Sequence, residues 1–419
     1  MRVLFLHTNF PGQYRHLAHV LAGSGHQVVF ATANPEGSMA GVEKRLFKAH
    51  RAVRQDIHHY VRPLEHAVLN GQASVRVMLQ LKREGFVPDV VCAHSGWGAG
   101  QYVKDVFPES GLVGLFEWYY RPYGSDVDFL RETPITDDDL LRIRTKNAPI
   151  LLDLVAADRR VSPTDWQRRQ FPALFQPEIE VLHDGIDTEY FAPQPGARLR
   201  VSRLDLSHVD EIVTYVARGM EPYRGFPEMI KAAALLQRRR PKLHVVVLGA
   251  DRVAYGRPLP NGQTYKQKLL AETPGLDLER IHFTGLLPFP EYRQVLRASS
   301  VHLYLTVPFV LSWSMLEAMA SGCLVVGSRT PPVEEAIEDG VNGLLVDFAD
   351  VEAIAAGIEA ALDDPAGMAP LRRAARRTVV ERYDLQRLLP RHLEILAEAA
   401  AVAKPVQPVQ AASLSSRLR

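Results

Sequence analysis

At 419 residues and about 150 residues per domain, the chain has room for two or three domains with sizeable cores. Its 47% hydrophobic and 23% charged composition, with Gly 28 and Pro 29, excludes a collagenous or low-complexity chain. Lys+Arg 49 against Asp+Glu 48 gives a net charge of +1; this removes a whole-molecule electrostatic case for nucleic acid or membrane, leaving open a local basic cleft or a peripheral membrane contact.

The N-terminal MRVLFLHTNFPG carries too short an apolar run for a signal-peptide core and reads as a buried strand over 3–6. Tyr14, Leu17, Ala18 and Leu21 follow at helical spacing, Gly25 stops the helix, and QVVFAT (27–32) is a second strand. VPDVVCAH (87–94), GLVGLF (111–116), DRRVS (158–162) and IEVLHDG (179–185) read as further strands with helical segments between them. Such alternation predicts a mainly parallel, doubly wound sheet. Residues 192–210 carry Pro, Gly and scattered charge without apolar periodicity, which places a domain boundary there: one domain over 1–195, a second over 205–385.

The alternation then restarts with EIVTYVA (211–217), LHVVVLGA (243–250), RIHFTG (280–285), SVHLYLTV (300–307), CLVVGS (323–328) and NGLLV (342–346). Amphipathic helices are expected over 350–363, 368–382 and 385–402, the last (386–402) crossing back to the N-terminal domain, and a disordered tail over 403–419. Cys92 and Cys323 sit inside apolar runs, which argues against a disulfide framework or a zinc site and fits a reducing, cytoplasmic compartment. No apolar stretch approaches the roughly 20 residues of a spanning helix.

Ligands of doubly wound sheets bind beyond the carboxyl ends of the strands. Several loops there carry chemistry. In HTNFPGQYR (7–15), Gly12 opens a helix, although Pro11-Gly12 can equally make a plain turn. ARGMEPYRGF (217–226) sets Arg218 past a strand and Arg224 at a helix entry; two guanidiniums there suit a diphosphate, and the bland alternative is a solvated basic loop. In VPFVLSWSMLEAMASG (307–322), Ser312, Ser314 and the backbone N–H groups around Trp313 can hold phosphate oxygens, while Glu317 either faces solvent or takes hydrogen bonds from a polar ligand. His94 ends a strand before the glycine-rich SGWGAG and can serve a substrate oxygen as donor, acid or base, or be structural. Asp126 and Asp128 look like a metal-binding pair, but the pattern is short and is read as coincidence, so no metal site is expected.

Taken in order over about residues 1–400, these segments resemble the retaining GT-B glycosyltransferases of family 4, which use nucleotide-sugar donors. PDVVCAH resembles the family strand ending in a functional histidine, VLHDGIDTEYF (181–191) its interdomain segment, and LEAMASGCLVVGSRTPPVEEAIEDGVNGLLV (316–346) its nucleotide-binding region. ARGMEPYRGF looks like the phosphate loop, with arginine at 224 where lysine is usual and a spacing one residue longer than the commonest form. The resemblance implies two Rossmann-like domains facing a cleft, with His94, Arg218 and Arg224 in catalysis. It implies Ser312, Trp313, Ser314 and Glu317 on the donor, with Glu317 at its ribose. The first glutamate of the family's two-glutamate signature, which the resemblance implies contacts sugar hydroxyls, falls by counting back on Phe309, and its loop glycines are Val310 and Ser312, so sugar selection departs from the family pattern.

HTNFPGQYRHLA, FEWYYRPYGSDVDF and HDGIDT together look like one bacterial subgroup. Trp118, Tyr120 and Arg121, with Gly12, are expected on the acceptor side, where rings can stack on sugars or simply pack against the domain. The implied activity is transfer of a sugar from a nucleotide-diphosphate sugar to a hydroxyl of a glycan, lipid-linked or small-molecule acceptor, without metal or other cofactor and without nucleic acid, in bacterial glycan or glycoconjugate synthesis. Location is expected in the cytoplasm or at the inner membrane face. A non-catalytic sugar-nucleotide binder and a GT-B-like sugar-nucleotide epimerase are the alternatives.

Overall fold

The computed structural model describes residues 1–131 and 133–402; the tail expected over 403–419 lies outside them. The chain forms two compact α/β units. The first comprises Met1–Arg121, Ile135–Asp184 and the described chain from Leu389 on; the second comprises Pro122–Pro134 and Gly185–Leu388.

The first unit is a seven-stranded parallel sheet of β1 (Arg2–His7), β2 (Gln27–Thr32), β3 (Val42–Leu46), β4 (Val90–His94), β5 (Gly111–Leu115), β6 (Arg159–Ser162) and β7 (Ile179–Val181), in the order β3-β2-β1-β4-β5-β6-β7. The central strands are apolar throughout because both faces are covered: Val3, Leu4, Phe5 and Leu6 are all 0% exposed. β3 (VEKRL) has no apolar run and was not expected; as an edge strand its charged side chains reach solvent. The helix Arg62–Arg83 covers one face through Ala73, Met78 and Leu81.

The helix Leu385–Val402 joins this unit from Leu389 on. Arg391 pairs with Glu180 (2.6 and 2.8 Å) and His392 Nε2 donates to the His183 carbonyl (3.0 Å). Its backbone packs so closely on β5 that a Cβ at Gly111 would lie 2.3 Å from the Ala399 carbonyl oxygen.

The second unit carries a short ribbon, β8 (Arg200–Val201) with β9 (Leu204–Asp205), and a six-stranded parallel sheet. Its strands are β10 (Glu211–Gly219), β11 (Leu243–Ala250), β12 (Ile281–Gly285), β13 (Val301–Tyr304), β14 (Leu324–Ser328) and β15 (Leu344–Val346), ordered β12-β11-β10-β13-β14-β15. Both sheets reverse strand order at one place, between β1 and β4 and between β10 and β13, and these switch points are where such sheets bind ligands.

The division differs from the sequence expectation in two respects. It falls between Asp184 and Gly185, earlier than residue 195. Residues 192–210 are no linker: Leu199, Leu206 and Val209 are buried with Ile212, Val246 and Val295 in the second unit's core. Widely spaced apolar residues on a turn-rich ribbon give no periodic signal, which is why composition misplaced the boundary. Pro122–Pro134 also belongs to the second unit, where the Phe129 ring meets Phe348 edge-on at 5.3 Å.

The helix–β5 contact is testable. Gly111→Ala, whose new Cβ would run into the Ala399–Ala400 peptide, is expected to cost about 1–3 kcal/mol in denaturant unfolding. Gly23→Ala, with nothing within 4 Å of the new Cβ, should stay within about 0.5 kcal/mol of wild type. Equal stabilities would remove the close-docking account.

Candidate functional site

Each switch point gathers polar side chains. In the first unit, His7 ends β1 and His94 ends β4, their ring centroids 4.7 Å apart. The Asn9 N–H donates to His7 Nδ1 (2.8 Å), so His7 carries its proton on Nε2 and donates it to Gln13 Oε1 (2.8 Å). Gln13 Nε2 donates to Glu117 Oε1 (2.5 Å). His94 donates through Nδ1 to the Ser95 carbonyl (3.0 Å) and through Nε2 to Glu117 Oε2 (3.0 Å).

A ring that donates from both nitrogens is an imidazolium. Burial pushes the His94 pKa down, but the Glu117 carboxylate and the Ser95 carbonyl outweigh it and hold it above its ordinary value. Burial likewise pushes Glu117 up, and His94 and Gln13 bring it below the ordinary carboxylate value. Gly12 belongs to this group for a steric reason: its φ is +53°, and a Cβ there would lie 2.9 Å from His7 Nε2. Asp153 accepts from the Gly96 N–H (2.8 Å), and burial raises its pKa to about 7. A buried carboxyl with a raised pKa, held to the backbone just past a strand end, marks a candidate site.

The aromatic loop packs inward. Trp118 is 7% exposed and lies at a tilt to Trp166 (6.4 Å), so of the two readings left open for it, a sugar platform or packing against the domain, its burial matches the second. Tyr120 exchanges backbone hydrogen bonds with the Asn147 side chain, and Lys146 Nζ covers its ring at 3.4 Å. Arg121 donates to the Arg169 carbonyl (3.3 Å).

The second unit's switch point is built on Arg224, which is 4% exposed in the short turn Pro222–Arg224 after β10. Its Nη1 donates to the Tyr304 hydroxyl (3.0 Å) and Thr306 Oγ1 (2.7 Å), and its Nη2 to the Val310 carbonyl (3.0 Å). Every hydrogen-bond acceptor of this buried cation is uncharged. Burial works against its charge, and the surrounding tyrosine oxygens more than offset that. Gly225, at φ +64°, turns the chain into the helix Phe226–Arg239; a Cβ there would lie 2.5 Å from Leu305 Cβ.

The Tyr304 hydroxyl also accepts the Ser312 N–H (2.8 Å), tying Arg224 to the cap of the helix Trp313–Ala320. Ser312 Oγ accepts from the Ser314 N–H (3.4 Å) and lies 3.1 Å from Ser314 Oγ; Trp313 is half-buried against the core. Glu317, on the same helix, is 7% exposed and accepts from the Tyr292 hydroxyl (2.6 Å), so it does not face solvent. Phe309 is buried with its ring against Tyr223 (5.7 Å) and Tyr255 (5.2 Å).

Arg218 stands apart from Arg224: it is exposed at the end of β10 and has no hydrogen-bond or ion-pair partner among the described residues. Asp128 caps the turn Asp126–Phe129, accepting from the Gly124 and Ser125 N–H groups, and Asp126 accepts from the Tyr223 hydroxyl (2.8 Å).

Sequence reasoning passed over Glu117, His7, Gln13, Asp153, Tyr304 and Tyr255. Glu117 carried a usable signal: an acid immediately past an apolar strand, in a motif read only for its rings.

Fold and sites together define a two-unit α/β protein of GT-B type, with a buried cation at one switch point and a charged His–Glu pair at the other. Residues 24–191 match the glycosyl transferase family 4 group and residues 203–378 match glycosyl transferases group 1. The chain belongs to the family 4 glycosyltransferases. It is 31% identical over 227 residues to a D-inositol 3-phosphate glycosyltransferase of Kribbella flavida, an alignment covering 52% of each protein. It is 24% identical over 435 residues, 97% of each, to a glycogen synthase of Mycobacterium tuberculosis. The chain thus spans about half the length of the inositol phosphate relatives it matches.

Among solved structures, a sucrose-phosphate synthase from Thermosynechococcus elongatus superposes with a TM-score of 0.71 at 18% identity, covering 96% of this chain and 99% of that one. HepE of Anabaena in complex with UDP gives 0.68 at 17% identity, covering 95% and 100%. At these identities the likeness shows the fold. No helix among the described residues is long and apolar enough to cross a membrane.

The His94–Glu117 pair predicts a pH signature. Its stabilisation is full between about pH 4.5 and 6.5, lost on the acid side as Glu117 protonates and on the alkaline side as His94 deprotonates above its raised value. Glu117→Gln should move the NMR titration midpoint of His94 to lower pH than in wild type. An unmoved midpoint would refute the pairing.

Proposed function

We propose that the chain is a retaining glycosyltransferase that moves a sugar from a nucleoside-diphosphate sugar to an acceptor hydroxyl. The observation that carries this reading is Arg224, a buried cation whose acceptors are all neutral. An arrangement of that kind is costly unless an anion completes it. In transfer, the bond from the anomeric carbon to the diphosphate oxygen breaks, the acceptor oxygen bonds to the same carbon, and the acceptor proton passes to the leaving phosphate. The negative charge that develops on the diphosphate is what Arg224 meets, with exposed Arg218 adding long-range attraction.

Donor binding is assigned to the second unit, with Glu317 and the Ser312–Ser314 turn beside Arg224; acceptor recognition is assigned to the first. The relatives support a nucleotide-sugar donor and a hydroxyl acceptor: HepE of Anabaena is described with UDP and with UDP-glucose, and the inositol relatives are named for D-inositol 3-phosphate, a polyol phosphate. His94, held as an imidazolium, serves as a hydrogen-bonding cation and not as a general base, which fits a scheme in which the leaving phosphate takes the proton. No metal is part of the proposal.

A second reading, nucleotide-sugar binding without transfer, is favoured by one observation, Phe309 in place of a carboxylate. Incubation with a panel of nucleotide sugars and hydroxyl acceptors separates the readings. Nucleotide release with glycosylated product supports transfer, binding alone supports the second reading, and isomerised sugar would mean an epimerase. Arg224→Ala should lower turnover about 100- to 1,000-fold, and Arg224→Lys should fall between it and wild type because it keeps the charge and loses the planar fork. Full activity in Arg224→Ala would remove the diphosphate role. Activity should persist in EDTA; complete loss would return Asp126 and Asp128 to consideration as metal ligands.

A further inference from the structure

Between β11 and the helix Tyr265–Glu272 the chain makes a long loop, residues 251–264. One side chain fastens the first part of this loop to the turn after β10. The Glu221 carboxylate is 0% exposed and accepts from successive backbone N–H groups. Ala254 donates to Oε1 (2.8 Å), Tyr255 to Oε1 (3.0 Å) and Oε2 (3.2 Å), and Gly256 to Oε2 (2.6 Å).

Consecutive N–H groups converging on one anion fix the backbone that carries them. Close approach tightens the fit: a Cβ at Gly256 would lie 2.9 Å from Glu221 Oε2, and one at Gly219 would lie 2.6 Å from the Arg252 carbonyl oxygen.

The consequence is the placement of Tyr255. Its ring lies 5.3 Å from the Arg224 guanidinium and 5.2 Å from the Phe309 ring, at 61° to it. Tyr255 is half-buried where Phe309 and Arg224 are buried, so it is the member of this group that meets solvent. The same loop brings Arg252 and Arg257, both exposed and without side-chain partners among the described residues. Glu221 itself has no capacity left for a ligand: its oxygens are occupied by backbone, and its burial is spent on the loop.

We propose that Glu221 is a positioning residue of the donor site and that Tyr255 is the ligand contact it delivers, beside Arg224, to a nucleoside diphosphate. The inference rests on the assignment of donor binding to this unit. Tyr255 completes the wall around the guanidinium, and the loop's arginines put further positive charge at its rim. Glu221→Gln tests the clamp, because an amide keeps one acceptor and turns its NH2 toward an N–H that was bound.

Calorimetric titration of the full chain with UDP and with GDP is the experiment. Glu221→Gln should raise the Kd of whichever nucleotide wild type binds by tenfold or more, with the melting temperature within a few degrees of wild type. Tyr255→Ala should give a similar loss with the clamp intact, and the double variant should be no weaker than the worse single one, since both act through one contact. Unchanged Kd in both variants, or a loss in Glu221→Gln that Tyr255→Ala does not share, overturns the proposal. If Glu221→Gln does not fold, Tyr255→Ala decides alone. Wild type binding neither nucleotide would instead overturn the donor-site assignment, and the clamp's role with it.

Discussion

The structure turns on a charge placed where a protein interior resists one. Arg224 is buried at the end of a central strand, and nothing that accepts its hydrogen bonds is negative. Burying an ion is tolerated when a counter-charge or a dense set of dipoles meets it. Here the dipoles are the hydroxyls of Tyr304 and Thr306 and the Val310 carbonyl, the first from the last residue of β13, the strand next to β10, and the other two from the chain just past it. The fold's strand reversal is what brings those segments together, so the electrostatics of the site is a property of the topology. The left-handed Gly225 is the local expression of the same demand, because only a residue without a side chain turns there against Leu305.

The two switch points solve the problem of polar groups at strand ends in opposite ways. In the first unit the imidazolium of His94 is answered by Glu117, and Glu117 is further held by Gln13 and His7, so the cluster is electrically closed. In the second, the cation is left open. A closed cluster suits the orientation of a neutral hydroxyl, where a net charge would add little, and an open cation suits a diphosphate. The near-zero net charge of the whole chain conceals this division, because Coulombic attraction inside a cleft depends on local pairing and not on the sum over the surface.

Most of the fold was legible because parallel strands buried on both faces are written as unbroken apolar runs: QVVFAT and LHVVVLGA match β2 and β11 residue for residue. What failed to register lacked such a run. The edge strand VEKRL is mostly charged, and residues 199–209 bury only scattered leucines and a valine. Among site residues, Arg224 was legible from charge beside a strand end and a glycine. The equivalence of Arg218 and Arg224 that the sequence suggested does not carry over to their environments, since the structure buries Arg224 and exposes Arg218. Glu117 was missed for a different reason: its role comes from a histidine far away in sequence, and long-range pairing leaves no local pattern.

Phe309 shows how a departure from a family pattern can follow from its surroundings. Its ring is 9% exposed and lies edge-on to Tyr223 and Tyr255. Tyr255 in turn covers Arg224 and donates its backbone N–H to Glu221, and the Tyr223 hydroxyl donates to Asp126. A carboxylate at position 309 would enter a largely aromatic setting, lie across one ring from the cation and compete with any anionic ligand for it. An aromatic residue there puts no acid beside the charge of Arg224 and presents an apolar wall instead. On the proposed reading of a sugar-nucleotide donor, shape at that wall is what is left to select the sugar, and it is set by the residues that hold Tyr223 and Tyr255 in place.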